Sequence, residues 1–465
     1  MRLEKIYKFN SVFLLYILLA GNAFSSPIRL IHYPIVNRPD SIPLILNNVP
    51  IYNDSSLSRL FQKLYLLKKG EGSNVSVLHL GDSHVQMGYF AATIRNTFSA
   101  IWGFAGFGTV FPYQLAKYNP YYIQTKVTNG EWEGSNYLKK EDEFKHGVLG
   151  FTARTFSAQA SFELNVKNNS ADISGFNKVQ LLYGDSAGNY TIELNGSSLL
   201  QSENGSNRAT LCNESMISNT NQVWQKNTYC FDKKQDKLQF TVRRNTPTKS
   251  AFNVYGFVLE DESNKGVIYN ASGVGGSQFS HLCDNASLSK EQISSLQPDL
   301  IIFSYGSNES YMKSFDSIKY QANVNNYIHS LKEMLPGVTI LLTAPPDTRA
   351  KNLYPRNTTT IQQILKTTAT QENVAYLDLR EQMGGDGSLW RWLARKLAAS
   401  DKLHFTREGY TLQANLVMQA FIQAYNNAIP DKDRVPVINL GNYILGHSPN
   451  QKQEKMDLPD KMKNK

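Results

Sequence analysis

Cysteine is scarce in this chain: 465 residues hold only Cys212, Cys230 and Cys283. None stands in a C-x-x-C pair or at Cys/His ligand spacing, which excludes a zinc ribbon or a disulfide-dense scaffold and leaves no metal site to propose. In an oxidising compartment Cys212 and Cys230 could pair, with Cys283 left over. Charge is also sparse, at 19% Asp, Glu, Lys and Arg, and the net +9 is scattered along the chain. A nucleic-acid binder concentrates such charge in a patch, so nucleic acid is not expected as a partner. Long hydrophobic runs are missing too. The apolar stretch 12–20 is too short to cross a bilayer comfortably, and no stable membrane insertion is expected.

What is present is enough apolar material, 41% of residues at a mean hydropathy of −0.38, to bury sizeable cores. The length suits about three domains of ordinary size. Arg2, Lys5 and Lys8 precede the apolar stretch, and Gly21, Ala23, Ser25 and Ser26 follow it before Pro27. This is the layout of a secretory signal peptide, assigned to residues 1–25. Its removal takes three positive charges and Glu4, leaving +7. N-x-S/T triplets are frequent (Asn74, Asn195, Asn204, Asn285, Asn357), but so are Asn and Ser in general. The chain reads as an exported bacterial protein, secreted into the periplasm of a Gram-negative cell.

Two grammars alternate along the mature chain. Residues 56–67 carry a helical period, 75–80 form a β-rich apolar run, and a helical pattern follows with Phe90, Ile94, Phe98 and Ile101. The same strand–helix alternation returns after residue 265. Strand-like runs lie at 266–270, 299–304, 338–343 and 374–379, with helical stretches at 317–335, 357–370, 389–399 and 406–428. Short buried strands between helices predict a parallel sheet covered on both faces. Between 113 and 262 the helical period vanishes. Runs at 160–166, 178–183, 190–194, 237–243 and 252–259, separated by Asn/Gly/Ser turns, predict an antiparallel β-sandwich. The expected organisation is therefore an α/β domain at 27–112 and 263–430, interrupted by a β module at 113–262. Residues 440–465 read as a disordered tail.

Four short motifs fall at predicted strand ends or before helices. Gly81-Asp82-Ser83-His84 follows a strand and opens a helix, where α/β sheets collect their ligands. Gly273-Val-Gly275-Gly276-Ser277 is a glycine-rich turn that lets backbone approach a substrate, and it lacks the dinucleotide G-x-G-x-x-G spacing. Gly306-Ser307-Asn308-Glu309 offers an amide donor at the same sheet edge. Asp401-Lys-Leu-His404 spaces a carboxylate so that it can hold one imidazole tautomer. Each motif alone has a plainer reading: helix caps, a tight turn, an Asx-turn and a solvated loop pair. Together they supply a nucleophile, two oxyanion donors and an Asp/His pair.

In that order the motifs resemble the SGNH (GDSL-type) hydrolase family, whose four blocks supply Ser, Gly, Asn and His, with Asp three residues before the His. The resemblance implies Ser83 as nucleophile, Asp401 and His404 as its triad partners, and Gly276 and Asn308 as the oxyanion hole. Gly275 is an alternative to Gly276, because the turn aligns one residue either way. His84 and Glu309 stand where Leu and Asp are usual, variants similar to the branch containing peptidoglycan O-acetylesterases. Gly103-x-Ala105-Gly106-x-Gly108 with Phe111-Pro112, and Met383-Gly384-Gly385, Ser388, Trp390, Thr406 and Gly409-Tyr410, also look like that branch. So does a carbohydrate-binding-like β-module between the first two blocks.

The resemblance implies a metal-free, cofactor-free serine esterase that removes O-acetyl groups from a bacterial polysaccharide, with peptidoglycan as the best single substrate. Acetyl transfer to a sugar hydroxyl is the alternative within the enzyme class. A cell-wall binding protein with a dead catalytic domain is the alternative outside it. His84 reads as a structural histidine or a second base, and Trp132 and Tyr137 as sugar-stacking or core aromatics. All five candidate residues lie outside 113–262, so removal of residues 114–260 is expected to spare cleavage of a small aryl acetate, provided the buried junction keeps its cover.

Overall fold

The computed structural model describes residues 44–139, 141, 143–166, 175–184, 188–197, 207–219, 222–350 and 353–440. The expected signal peptide and residues 441–465 of the expected tail lie outside the described residues. A five-stranded parallel sheet runs in the order Val267–Gly273, Val75–Gly81, Leu300–Ser304, Thr339–Thr343, Ala375–Leu377. Its strands are apolar on both faces because both are covered. Leu78, Leu80, Ile301, Phe303, Ile340 and Leu342 feed one core. Their neighbours Val77, Leu300, Ile302 and Leu341 feed the other. That period of two sends alternate residues to opposite layers.

On one face lie helices Ser58–Lys68, Tyr89–Trp102 and Arg407–Asn427, locked by ring contacts such as Phe61 with Phe421 at 5.4 Å. On the other lie Ala286–Leu296, Ser317–Met334 and Thr358–Gln371, whose Ile293, Val324, Ile328 and Ile361 join the first core. The helical pattern expected as one piece after the first strand is two helices, Ser83–Gln86 and Tyr89–Trp102. The break is Gly88, at φ +85°, where a Cβ would meet the Tyr122 ring at 2.5 Å. A buried polar chain crosses four strands. Tyr269 Oη lies 2.6 Å from His79 Nδ1, His79 Nε2 lies 2.7 Å from Ser304 Oγ, and that oxygen lies 2.8 Å from Thr343 Oγ1. Burial drives the His79 pKa down to about 3, so the ring is neutral and serves to fix strand register.

The middle of the chain forms two antiparallel sheets. One orders Thr210–Asn219, Gln222–Gln235, Phe176–Gly184, Phe252–Glu260, Phe151–Thr155 and Glu133–Asn136, with Gly106–Val110 also paired to Phe252–Glu260. The other orders Ile123–Asn129, Gln159–Val166, Lys237–Arg244, Tyr190–Ser197 and Asn207–Arg208. They pack face to face through Phe162, Phe240, Phe252 and Phe257, as in a sandwich. Cys212 and Cys230, on neighbouring strands, are joined by a disulfide, and Cys283 is free.

The sandwich shares its hydrophobic core with one face of the parallel sheet, since Phe162 and Phe240 belong to the same buried cluster as Ile301 and Phe303. Polar contacts follow the same seam. Val148 N–H donates to Gln292 Oε1 at 2.9 Å, Ser272 Oγ to the Leu149 carbonyl at 2.8 Å, and Trp224 Nε1 to Glu291 Oε2 at 2.7 Å. The expectation of a removable insert changes here. Excising residues 114–260 would bare a continuous core.

Candidate active site

The first strand ends at Gly81, where a Cβ would meet Val85 Cγ2 at 2.4 Å and the Ser304 carbonyl oxygen at 2.8 Å. Only glycine lets the chain turn this tightly against its neighbour. Asp82 then caps the turn, its Oδ1 accepting the His84 N–H at 3.0 Å. Ser83 is thereby presented at the carboxyl edge of the sheet, largely buried.

The Asp401–His404 turn reaches the same point from 321 residues further along the chain. Asp401 Oδ1 accepts the N–H groups of Leu403 and His404 at 3.0 and 2.9 Å, and Oδ2 lies 2.7 Å from His404 Nδ1. His404 Nε2 lies 3.1 Å from Ser83 Oγ. Burial raises the Asp401 pKa, but the His404 ring and the two amides outweigh it and bring it down to about 2. The carboxylate is thus ionised throughout the working range and fixes the tautomer that leaves Nε2 as acceptor. Such a chain can withdraw the serine proton during attack on an ester.

Gly276 sits in an exposed turn at φ +87°, a left-handed backbone that favours glycine, while a Cβ there would meet only Leu138 Cδ1 at 3.5 Å. The conformation, rather than lack of space, explains this glycine. Asn308 Nδ2 donates one hydrogen to the Ser277 carbonyl at 2.7 Å. Its second amide hydrogen remains available to a bound anion. The structure therefore brings together Ser83, Asp401 and His404 directly, and ties Asn308 to the turn that carries Gly276.

The burial of the residues behind these groups escaped the sequence reading. Glu309 is buried, with Oε1 accepting the Phe279 N–H at 2.6 Å and Oε2 unpartnered. Burial first, then the charge of Asp82, raise its pKa to about 7 against the pull of that amide. Asp82 is likewise raised by burial, to about 6. His84 Nδ1 lies 3.1 Å from Tyr410 Oη and its Nε2 is buried without a partner. Burial, then the neighbouring His404 charge, lower the His84 pKa to about 3. That ring is therefore neutral near pH 7.

Of the two aromatics singled out in the β segment, Trp132 packs on Phe162 at 5.2 Å. Tyr137 stacks beside His281, and its hydroxyl reaches Ser277 and Tyr305. Neither is a free platform, and Tyr137 instead buttresses the Gly276 turn. Nothing in the sequence pattern could have paired Tyr137 with Ser277. Among the described residues no three His, Cys, Asp or Glu side chains are grouped to hold a metal ion.

A parallel α/β sheet with Ser, His and Asp in hydrogen-bonding sequence at its carboxyl edge defines an acyl-hydrolase class of protein. Residues 243–412 match the model of the GDSL-like lipase/acylhydrolase family. That stretch is thus a GDSL-like acylhydrolase domain, and the parallel sheet it shares with Ser83 has the fold of a carboxylic ester hydrolase of the SGNH type. The match includes Gly276, Asn308, Asp401 and His404; Ser83 lies outside it and joins them only in space. No curated protein matches the sequence. Among solved structures, a peptidoglycan O-acetylesterase is similar with a TM-score of 0.64 at 20% identity, over 80% of this chain and 97% of that one. An acetylxylan esterase of Geobacillus stearothermophilus gives 0.28 at 16% identity, over 35% and 74%. A lipase/acylhydrolase of Enterococcus faecalis gives 0.28 at 16% identity, over 38% and 81%.

Proposed function

We propose that the protein is a secreted serine O-acetylesterase acting on a bacterial cell-wall polysaccharide, peptidoglycan in the first place. The observation that carries the reading is the Ser83–His404–Asp401 chain, at 3.1 and 2.7 Å, beside the Gly276 turn and the Asn308 amide. The polysaccharide part draws support from the fold shared with a peptidoglycan O-acetylesterase, which extends over sandwich and hydrolase sheet alike. In this reading residues 1–25 are a signal peptide, the enzyme works in the periplasm, and 113–262 is a carbohydrate-binding-like module.

Ser83 Oγ attacks the acetyl carbonyl carbon while His404 Nε2 takes its proton, and Asp401 stabilises the imidazolium. The oxyanion is held by the Ser83 and Gly276 N–H groups and the free Asn308 amide hydrogen. His404 returns the proton to the departing sugar oxygen, leaving an acetyl-serine. Water, deprotonated by the same imidazole, then releases acetate. The test is acetate release from O-acetylated peptidoglycan, other acetylated glycans and a small aryl acetate, side by side, with Ser83→Ala as control. A loss of several orders of magnitude in Ser83→Ala is expected. Activity within tenfold of wild type would end the reading, and acetyl groups recovered on a sugar acceptor instead of water would make the enzyme a transferase.

A further inference from the structure

Two exposed aromatic rings among the described residues lie on the hydrolase part of the chain and not in the sandwich. Trp390 and Tyr354 are 44% and 56% exposed. One cation serves both: the Arg349 guanidinium carbon lies 4.7 Å from the Tyr354 ring centre and 5.9 Å from that of Trp390. Lys402 Nζ lies 5.0 Å over Trp390. Neither Arg349 nor Lys402 forms an ion pair among the described residues, whereas the nearby Arg380 is met by Asp347 and Asp386. The patch is tied to the reacting groups. Lys402 stands between Asp401 and His404, and its carbonyl accepts the Arg349 N–H at 2.7 Å. Lys402 also holds a left-handed backbone, φ 60°, where Gly or Asn would cost less.

We propose that this patch is a subsite for an acidic glycan strand, specifically peptidoglycan carrying free stem-peptide carboxylates. This rests on the esterase reading above and extends it to the substrate's charge. A sugar ring stacks on the outward faces of Trp390 and Tyr354, whose rings bring large contact area at small loss of side-chain freedom. The carboxylate meets Arg349, whose planar fork accepts it with two parallel hydrogen bonds, and Lys402 as a point charge. Cation–π contact alone does not account for the arrangement. At exposed sites such contact is weak, and it leaves two positive charges without an ion-pair partner beside the proposed nucleophile's partners. An anion from the substrate completes the set.

The test is calorimetric binding to the Ser83→Ala protein, which keeps the substrate intact, with soluble O-acetylated peptidoglycan strands as probe. Trp390→Ala and the double variant Arg349→Gln/Lys402→Gln should each weaken binding about tenfold, and Trp390→Phe should restore most of it. Raising the salt should weaken the parent but hardly the double variant. Unfolding temperatures read on the same samples separate loss of the subsite from loss of fold. Unchanged affinity in both variants would overturn the proposal, as would equal affinity for neutral acetylated xylan or tighter binding of an acetylated polyuronate. Acetate release by the wild type is a separate readout. If release occurs and binding ignores the patch, the subsite is wrong. If binding needs the patch and no acetate is released, the esterase reading is wrong.

Discussion

The Glu309 carboxyl accepts the Phe279 backbone N–H at 2.6 Å, so a buried acid from the Asn308 loop stitches it to the helix that follows the Gly276 turn. Asn308 makes the parallel stitch to Ser277. The two loops that frame the proposed oxyanion hole are thereby one unit.

That unit has a pH signature. Glu309 is raised to about 7 from an ordinary 4.5, by burial and then by Asp82, with Tyr137 and Tyr320 also close. Between those values the folded state keeps a proton that the unfolded chain has lost. The resulting stability is complete below about 4.5 and is lost as pH rises through about 7. Glu309→Gln keeps the acceptor for Phe279 and removes the titration. Its unfolding temperature should therefore match wild type near pH 5 and exceed it at pH 8. A gap that shrinks as pH rises would show that Glu309 is ionised in the fold.

Asn308→Ala removes the donor to Ser277 and the free amide hydrogen together. kcat for an aryl acetate should fall about 10²–10³ with little change in KM, as for a contact made chiefly in the transition state. A change confined to KM would make Asn308 a substrate-binding residue.

The strand–helix alternation and the four motifs were legible because their signals are local: β-rich apolar runs, and catalytic residue types within three positions of each other. What was not legible depends on pairing across the chain. Gly106–Val110 is glycine-rich and offers no alternation, and it is a strand because Phe252–Glu260 lies beside it. At Gly108, φ +72°, a Cβ would meet the Tyr269 carbonyl oxygen at 2.5 Å. Gln222–Gln235 is too polar to read as a strand, yet it is paired on both sides. Helices Phe279–Asp284 and Ala286–Leu296 are short, the second Ser-rich, and packing rather than propensity decides them. The buried carboxyls were read only as a cap and a variant, since burial is a property of the assembled sheet edge.

The acid limb of kcat/KM offers a third check. His404 must be neutral to accept the serine proton, so activity falls as pH is lowered. Asp401, at about 2, and His84, at about 3, change charge only in strong acid. His84→Gln, which can still bond Tyr410, should leave the position of the limb within a few tenths of a pH unit. Movement by a full unit would give His84 a share in the proton transfer.

The β segment is the last and sharpest test, because structure and sequence point in different directions. Its residues carry none of the five candidate groups, but Tyr137 reaches Ser277, Leu138 flanks Gly276, and Leu149 accepts from Ser272. Phe162 and Phe240 belong to the buried cluster that also holds Ile301 and Phe303 of the parallel sheet. Replacing residues 114–260 with a short linker should abolish cooperative unfolding and activity on aryl acetate and polymer alike. Such a deletion cannot separate buttressing from general collapse, so Tyr137→Phe is the informative variant. It removes one hydroxyl and leaves the ring stacked beside His281. If that hydroxyl holds the Gly276 turn in place, kcat on a small aryl acetate should drop roughly tenfold with KM little altered, because slight misplacement of an oxyanion donor is costly. A wild-type kcat, with an unchanged unfolding temperature, would mean that the sandwich merely covers the sheet and leaves the geometry of the turn to the hydrolase domain.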